Sequence, residues 1–262
     1  MTSLLLSIQN LSAGYGSGPV ISDISFSLQP GEILCLAGES GCGKSTLLGA
    51  LMSTVPGLQI TRGSIILEDT DLLSLPLRDR RRLTTEKMGL VFQNPGSAFN
   101  PILSYRRQFI ETLKSHKMYR KDEFNAQAAE AFAKLGLDEP ERILSSCPYE
   151  MSGGMNQRIA LALALLLGQE ILLADEPTSA LDATIQLQVA QELKRLRDVS
   201  GMAQIIVTHN LALAQFLADR IGVMYNGRLV EMGTPDQVLS SPQHTYTQNL
   251  LKAIPSLEGG AL

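Results

Sequence analysis

The chain of 262 residues has no tryptophan and only three cysteines, Cys35, Cys42 and Cys147, with no paired spacing between them. That excludes a disulfide framework, a zinc site and an iron–sulfur cluster, and it suits a reducing compartment. Long hydrophobic runs are missing too. The longest, Ile159 to Leu167, is nine residues, where a membrane-spanning helix needs about 20. Met1 to Asn10 lacks a basic region followed by a long apolar core, so no signal peptide is predicted and a soluble, cytoplasmic protein is expected. Positive charge is scarce: 22 Lys and Arg against 26 Asp and Glu leave a net charge of −4. A nucleic-acid partner is therefore not expected, since phosphate backbones recruit basic faces. The one basic cluster, Arg78-Asp79-Arg80-Arg81-Arg82, is short and reads as the solvated face of a connecting turn or helix. Internal repeats, low-complexity segments and long Pro/Gly linkers are also lacking.

What is present is a 44% hydrophobic chain, enough for a full core. Residues 4–8 and 20–28 read as short strands around a turn at Gly14-Tyr15-Gly16-Ser17-Gly18. Ile33 to Ala37 is a compact apolar strand, and Lys44 to Ser53 follows as a helix. Met88 to Phe92 is another buried-strand candidate. Residues 102–114 and 122–136 are rich in helix formers and predict a helical insertion. Strand patterning returns at Ile171 to Ala174 and at Gln204 to Val207, and between them Ile185, Val189, Leu193 and Leu196 mark one face of a helix. This alternation predicts an α/β fold with a mostly parallel sheet and a helical subdomain inserted at 94–158.

Gly38-Glu39-Ser40-Gly41-Cys42-Gly43-Lys44-Ser45-Thr46 fits the phosphate-loop pattern, with a strand before it and a helix after it. Its glycines let backbone N–H groups turn inward around phosphates, and the helix start adds about half a positive charge. Lys44 is placed to reach the β- and γ-phosphates, and the Ser45 hydroxyl to ligate Mg²⁺. Asp175 and Glu176 end an apolar strand. Beside such a loop Asp175 orients Mg²⁺ through its water shell and Glu176 polarises the attacking water. His209 follows the next strand, near the γ-phosphate. A second anion-holding feature is Ser152-Gly153-Gly154, a hydroxyl and two glycines before an apolar helix.

Together these motifs resemble an ATP-binding-cassette (ABC) transporter ATPase over nearly the whole chain. The resemblance implies a cassette with a phosphate-loop core at 1–93 and 159–233, the helical subdomain at 94–158, an antiparallel N-terminal β part and a tail at 234–262. It implies that Tyr15 stacks on adenine and that Gln93 senses Mg²⁺ and couples to the membrane partner. It also implies that Ser179-Ala180-Leu181-Asp182 contacts the other cassette and that His209 is the switch histidine. In this family two cassettes dimerise head to tail, so Ser152-Gly153-Gly154 would cap the ATP held by the partner. Met155 departs from the glutamine of many relatives, a change expected to alter fine contacts.

Gln93 to Pro101, Met155 and the tail Ser241-Pro242-Gln243-His244-Thr245-Tyr246-Thr247 are similar to the peptide/nickel importer branch. Many peptide importers carry a longer, cysteine-bearing C-terminal extension, and the short tail is more similar to nickel or metal-chelate importers. The implied partners are a second ATPase subunit, identical or paralogous, two transmembrane permeases and, indirectly, a solute-binding protein, at the cytoplasmic membrane face. The alternatives are a nucleotide-gated scaffold and a non-transport cassette ATPase.

Overall fold

Alternate residues of the central strands belong to two different cores. Leu34, Leu36, Leu173, Ile205 and Val207 pack into one. Cys35, Ala37, Leu172, Ala174 and Ile206 pack into the other. A strand buried on both faces needs a continuous apolar run, which is what these segments carry. In a computed structural model the chain is described over residues 4–16, 18–91, 99–178 and 183–252. In chain order the elements begin with β1 (Leu6–Tyr15), β2 (Gly18–Leu28), β3 (Ile33–Ala37), α1 (Lys44–Met52), β4 (Gln59–Leu67) and β5 (Thr70–Asp71). They continue with α2 (Leu77–Lys87), β6 (Met88–Val91), α3 (Tyr105–Ser115), α4 (Phe124–Lys134), α5 (Pro140–Ser145), α6 (Gly153–Leu166) and β7 (Ile171–Asp175). The last are α7 (Ala183–Ser200), β8 (Ala203–Thr208), α8 (Leu211–Leu217), β9 (Arg220–Tyr225), β10 (Arg228–Gly233), α9 (Pro235–Ser240) and α10 (Thr245–Lys252).

Two sheets result. One is antiparallel, in the order β2-β1-β4-β5, and the other runs β10-β9-β3-β8-β7-β6. In the second, β3, β6, β7, β8 and β9 are parallel and β10 pairs antiparallel with β9. The antiparallel sheet covers one face of the parallel one, with α1 between them contributing Leu47 and Leu51 to the shared core. The opposite face is covered by α6, α7 and α8 through Leu161, Leu193 and Leu213. That same core continues into α3, α4 and α5, where Phe99 meets Tyr105 edge-on at 5.1 Å and Phe109 meets Phe132 at 5.9 Å. This is the α/β architecture that the strand–helix alternation predicts. Among the described residues no helix is long and apolar enough to cross a membrane.

The structure differs from the sequence reading in three places. β1 runs on to Tyr15, through what reads as a turn, because it pairs with both β2 and β4. Gly14 makes the close crossing possible, since a Cβ there would lie 2.1 Å from the Gly18 carbonyl oxygen. The basic cluster lies in α2 and is more than a solvated face. Arg80 Nε donates to the Leu72 carbonyl and Arg81 Nε to that of Ser53, each at 2.8 Å. Finally, β4, β5, β9 and β10 have no counterpart in the sequence reading. β4 is largely exposed in its first half and interrupted by Gly63 at φ +100°, which breaks the period-two pattern by which strands are read.

Candidate active site

Parallel strands end on a common edge, and ligands of such sheets gather at their carboxyl ends. Here Ala37 pairs with Thr208, and Asp175 with Val207, so the ends of β3, β8 and β7 lie level. From them leave the phosphate loop, His209, and the Asp175-Glu176 pair.

The loop's shape is forced by its own chain. Gly38 (φ +155°) lies so close to the end of β9 that a Cβ would fall 2.3 Å from the Met224 carbonyl oxygen. Gly43 (φ +105°) precedes α1, and a Cβ there would approach the Ile21 side chain to 2.7 Å. The Gly227 N–H donates to the Cys42 carbonyl at 3.0 Å, fixing the loop to the β9–β10 turn. Lys44 is buried, 5% exposed, and its ammonium donates to the carbonyls of Gly38 (2.7 Å) and Glu39 (2.8 Å), with the Cys42 sulfur 3.7 Å away. A cation is thus held inside a ring of backbone groups. Ser45, in the first turn of α1, is exposed, and Thr46 is half-buried.

Glu176 sits in the left-handed region (φ +50°), its N–H bonded to the Val207 carbonyl at 2.9 Å. A non-glycine residue in that region is uncommon and clusters at functional sites. The turn aims its carboxylate at His209, whose Nδ1 lies 2.5 Å from Glu176 Oε2. Beside it, Asp175 Oδ1 is buried with no hydrogen-bond partner among the described residues. A buried, unpaired carboxylate oxygen is costly unless something else satisfies it. A divalent cation or its bound water would do so, and hard cations take oxygen ligands of this kind. Asp175, with the exposed Ser45 hydroxyl, therefore fits Mg²⁺.

Ser152 caps α6, its hydroxyl accepting from the Met155 N–H at 3.3 Å, so the N–H groups of the first turn face outward. Ser152, Gly153 and Gly154 are exposed, and a Cβ on either glycine would meet no atom within 4 Å. No hydrogen bond joins these three residues to the phosphate loop among the described residues. Tyr15 ends β1 and is exposed, its ring available for stacking. Gln93 and Ser179 to Asp182 lie outside the described residues.

Two residues near these loops escape the sequence reading. Asn156 is buried, and its Nδ2 donates to the carbonyls of Pro148, Met151 and Ser152 at 3.1, 3.2 and 3.2 Å, while the Tyr105 hydroxyl donates to its Oδ1. It thereby fixes the approach to the second loop, and only its place within the motif could have signalled this. Tyr246 reaches the phosphate loop from the tail.

A model of the ABC transporter family matches residues 21–179. The chain is similar to the peptidoglycan transport ATP-binding protein YejF of Agrobacterium fabrum, with 38% identity over 98% of this chain and 48% of that protein. It thus spans about half the length of YejF. It is also similar to the oligopeptide transport ATP-binding protein OppD of Bacillus subtilis, 36% identical over 97% of this chain and 73% of the relative. The dipeptide transport ATP-binding protein DppD of the same organism is 36% identical over 97% of this chain and 78% of the relative. Among solved structures, a dimer of the ATP-binding cassette MJ0796 in a post-hydrolysis state bound to ADP and Pi has a TM-score of 0.72 and 27% identity, over 88% of this chain and 98% of that one. The fold is likewise that of cbiO1 from Clostridium perfringens (TM-score 0.80, 22% identity, 97% and 96% covered), part of the ABC transporter complex cbiONQ.

Proposed function

The chain belongs to the ABC transporter family of ATPases, and from that premise we propose that it is the ATP-hydrolysing subunit of an importer. It works as one half of a head-to-tail cassette pair on the cytoplasmic face of a membrane, driving two permease subunits fed by a solute-binding protein. The similarity to dipeptide and oligopeptide transport proteins supports peptides as cargo over nickel or a metal chelate. The second cassette is a copy of this chain or a paralogue.

The observation that carries the reading is the meeting of a forced phosphate loop, an unpaired Asp175 oxygen and the Glu176–His209 pair at one sheet edge. Lys44 exchanges its two carbonyl partners for the β- and γ-phosphates, a short movement of an ammonium already inside the loop. Ser45 and Asp175, with Gln93, would hold Mg²⁺, which when bound would supply charge to offset that of the phosphates. Tyr15 stacks on the adenine. Glu176 takes the proton of the attacking water, and His209 orients the Glu176 carboxylate. The outward N–H groups of Ser152-Gly153-Gly154, at the positive end of α6, close on the partner's γ-phosphate, and Ser179 to Asp182 contact the other cassette.

The test is Glu176→Gln, which keeps shape and removes the base. ATP binding is expected to stay within about twofold of wild type while turnover falls by about 10²-fold or more. Near-normal hydrolysis by a cleanly folded variant would overturn the assignment.

A further inference from the structure

Among the described residues the tail touches the phosphate loop at one polar contact. The Glu39 N–H donates to the Tyr246 hydroxyl oxygen at 3.1 Å, across 207 residues of sequence. The acceptor is held in place from three sides. Its ring stacks on Tyr225 at the end of β9, centroids 4.1 Å apart and planes at 26°. Its own N–H donates to His244 Nδ1 at 3.2 Å. One turn back, Glu231 of β10 accepts the N–H groups of Gln243 (2.7 Å) and His244 (3.1 Å), tying the start of α10 to the sheet. Thr247, the next residue, is fully buried. Burial also raises the Tyr246 hydroxyl above its ordinary value of 10.0, so it remains a neutral acceptor.

The contact falls on a particular peptide group. Gly38 and Glu39 share one amide, whose carbonyl oxygen accepts from Lys44 Nζ and whose N–H donates to Tyr246. Ammonium, amide and phenol therefore form one chain of hydrogen bonds, each polarising the next. The Lys44 end of that chain is also the end that nucleotide claims. Once Lys44 turns to the phosphates, Tyr246 is the bond that still holds this amide in place.

We propose that Tyr246 is a positioning residue for the phosphate loop: its hydroxyl fixes the Gly38–Glu39 amide from outside, so that the loop keeps its phosphate-binding shape after Lys44 leaves the Gly38 carbonyl. The tail motif Gln243-His244-Thr245-Tyr246-Thr247 thereby gains a task in nucleotide binding, carried out through the loop and without contact with the nucleotide. This rests on the phosphate loop holding ATP.

The experiment is Tyr246→Phe, which keeps the ring on Tyr225 and removes only the hydroxyl. One hydrogen bond is worth about threefold to tenfold in an equilibrium constant. The Kd and KM for ATP are expected to rise by that factor with kcat within about twofold, and the thermal midpoint should hold. In the nucleotide-free subunit the Glu39 amide should exchange its hydrogen faster than in wild type, a readout independent of ATP. Tyr225→Phe, which keeps the stack and the Tyr246 hydroxyl, should match wild type in every measurement. Wild-type ATP affinity in Tyr246→Phe, or a fall in kcat at unchanged KM, would overturn the proposal. A wild-type subunit without ATP affinity would instead overturn the ATPase reading, and Glu39 exchange would still decide whether the hydroxyl holds the loop.

Discussion

Two glycine-bearing loops open two helices in this molecule, and their glycines answer to different constraints. In the phosphate loop before α1, Gly38 and Gly43 have positive φ, and any side chain on them would strike Met224 or Ile21. Lys44, Gly227 and Tyr246 each bond the backbone of that loop. Before α6 the pattern reverses. Gly153 and Gly154 are exposed and have open space where a Cβ would go. Asn156 and Ser152 position this loop from behind, leaving its face bare. Open space at these glycines leaves room for close approach from outside the chain, and in the proposed cassette pair a partner's nucleotide makes that approach. Under the proposed head-to-tail pairing, the first loop serves its own ligand and the second another subunit's.

The sharpest way to break the comparison is to add a methyl group to each loop. Gly38→Ala is expected to lose about 2–3 kcal/mol in urea unfolding, because strained φ and overpacking against backbone combine. Gly154→Ala is expected to shift stability by less than about 0.5 kcal/mol, or to raise it slightly through helix propensity. Equal losses would mean that both loops answer to internal packing.

The thiols give a second, smaller contrast, since each loop has one nearby. Cys147 is partly exposed, Cys42 is buried at 8% exposure, and Cys35 is fully buried, its thiol pushed far up by burial and then by the charge of Asp219. Maleimide is expected to label Cys147 first, Cys42 more slowly and Cys35 last. In the isolated subunit Mg-ATP should slow Cys42 labelling and leave Cys147 unchanged. Protection of Cys147 in a monomer would remove the distinction between the loops.

The smallest effect concerns the tail that supports only the first loop. Burial raises the Glu231 carboxyl, but the nearby Thr247 hydroxyl (outside hydrogen-bonding geometry), the N–H groups of Gln243 and His244 and the charge of His244 together lower it below its ordinary 4.5. A lowered value means stabilisation that is present above 4.5 and lost as pH falls through the folded-state value. Unfolding measured across that acid window should show wild type losing more stability than Glu231→Gln, and parallel curves would refute the anchoring role.

Much of this arrangement is legible in the chain because the informative signals are local. Ile33 to Ala37 and Ile171 to Ala174 are apolar runs ending in motifs, and both became strands of the parallel sheet. The second loop is equally visible as a hydroxyl and two glycines before an apolar helix. What stays hidden is contact between distant segments. Nothing in the sequence places Tyr246 against Glu39, and nothing in Asn156 announces a buried side chain serving three carbonyls. Tyr15 reads as part of a turn for the same reason: its strand is completed by pairing on both edges.

The central claim, that Ser152-Gly153-Gly154 serves the other subunit's nucleotide, is tested most directly by the ATP affinity of the isolated subunit carrying Gly153→Asp. An aspartate in the first turn of α6 suits the helix start and its Cβ would meet no atom within 4 Å, so folding is expected to be preserved. Placed against a γ-phosphate, its charge would be strongly repulsive. The account predicts an ATP Kd within about twofold of wild type, beside a loss of about tenfold or more for Lys44→Ala, a loss of about 1.4 kcal/mol or more. A Gly153→Asp subunit that loses ATP affinity as Lys44→Ala does would place the loop on its own chain's nucleotide and contradict the account.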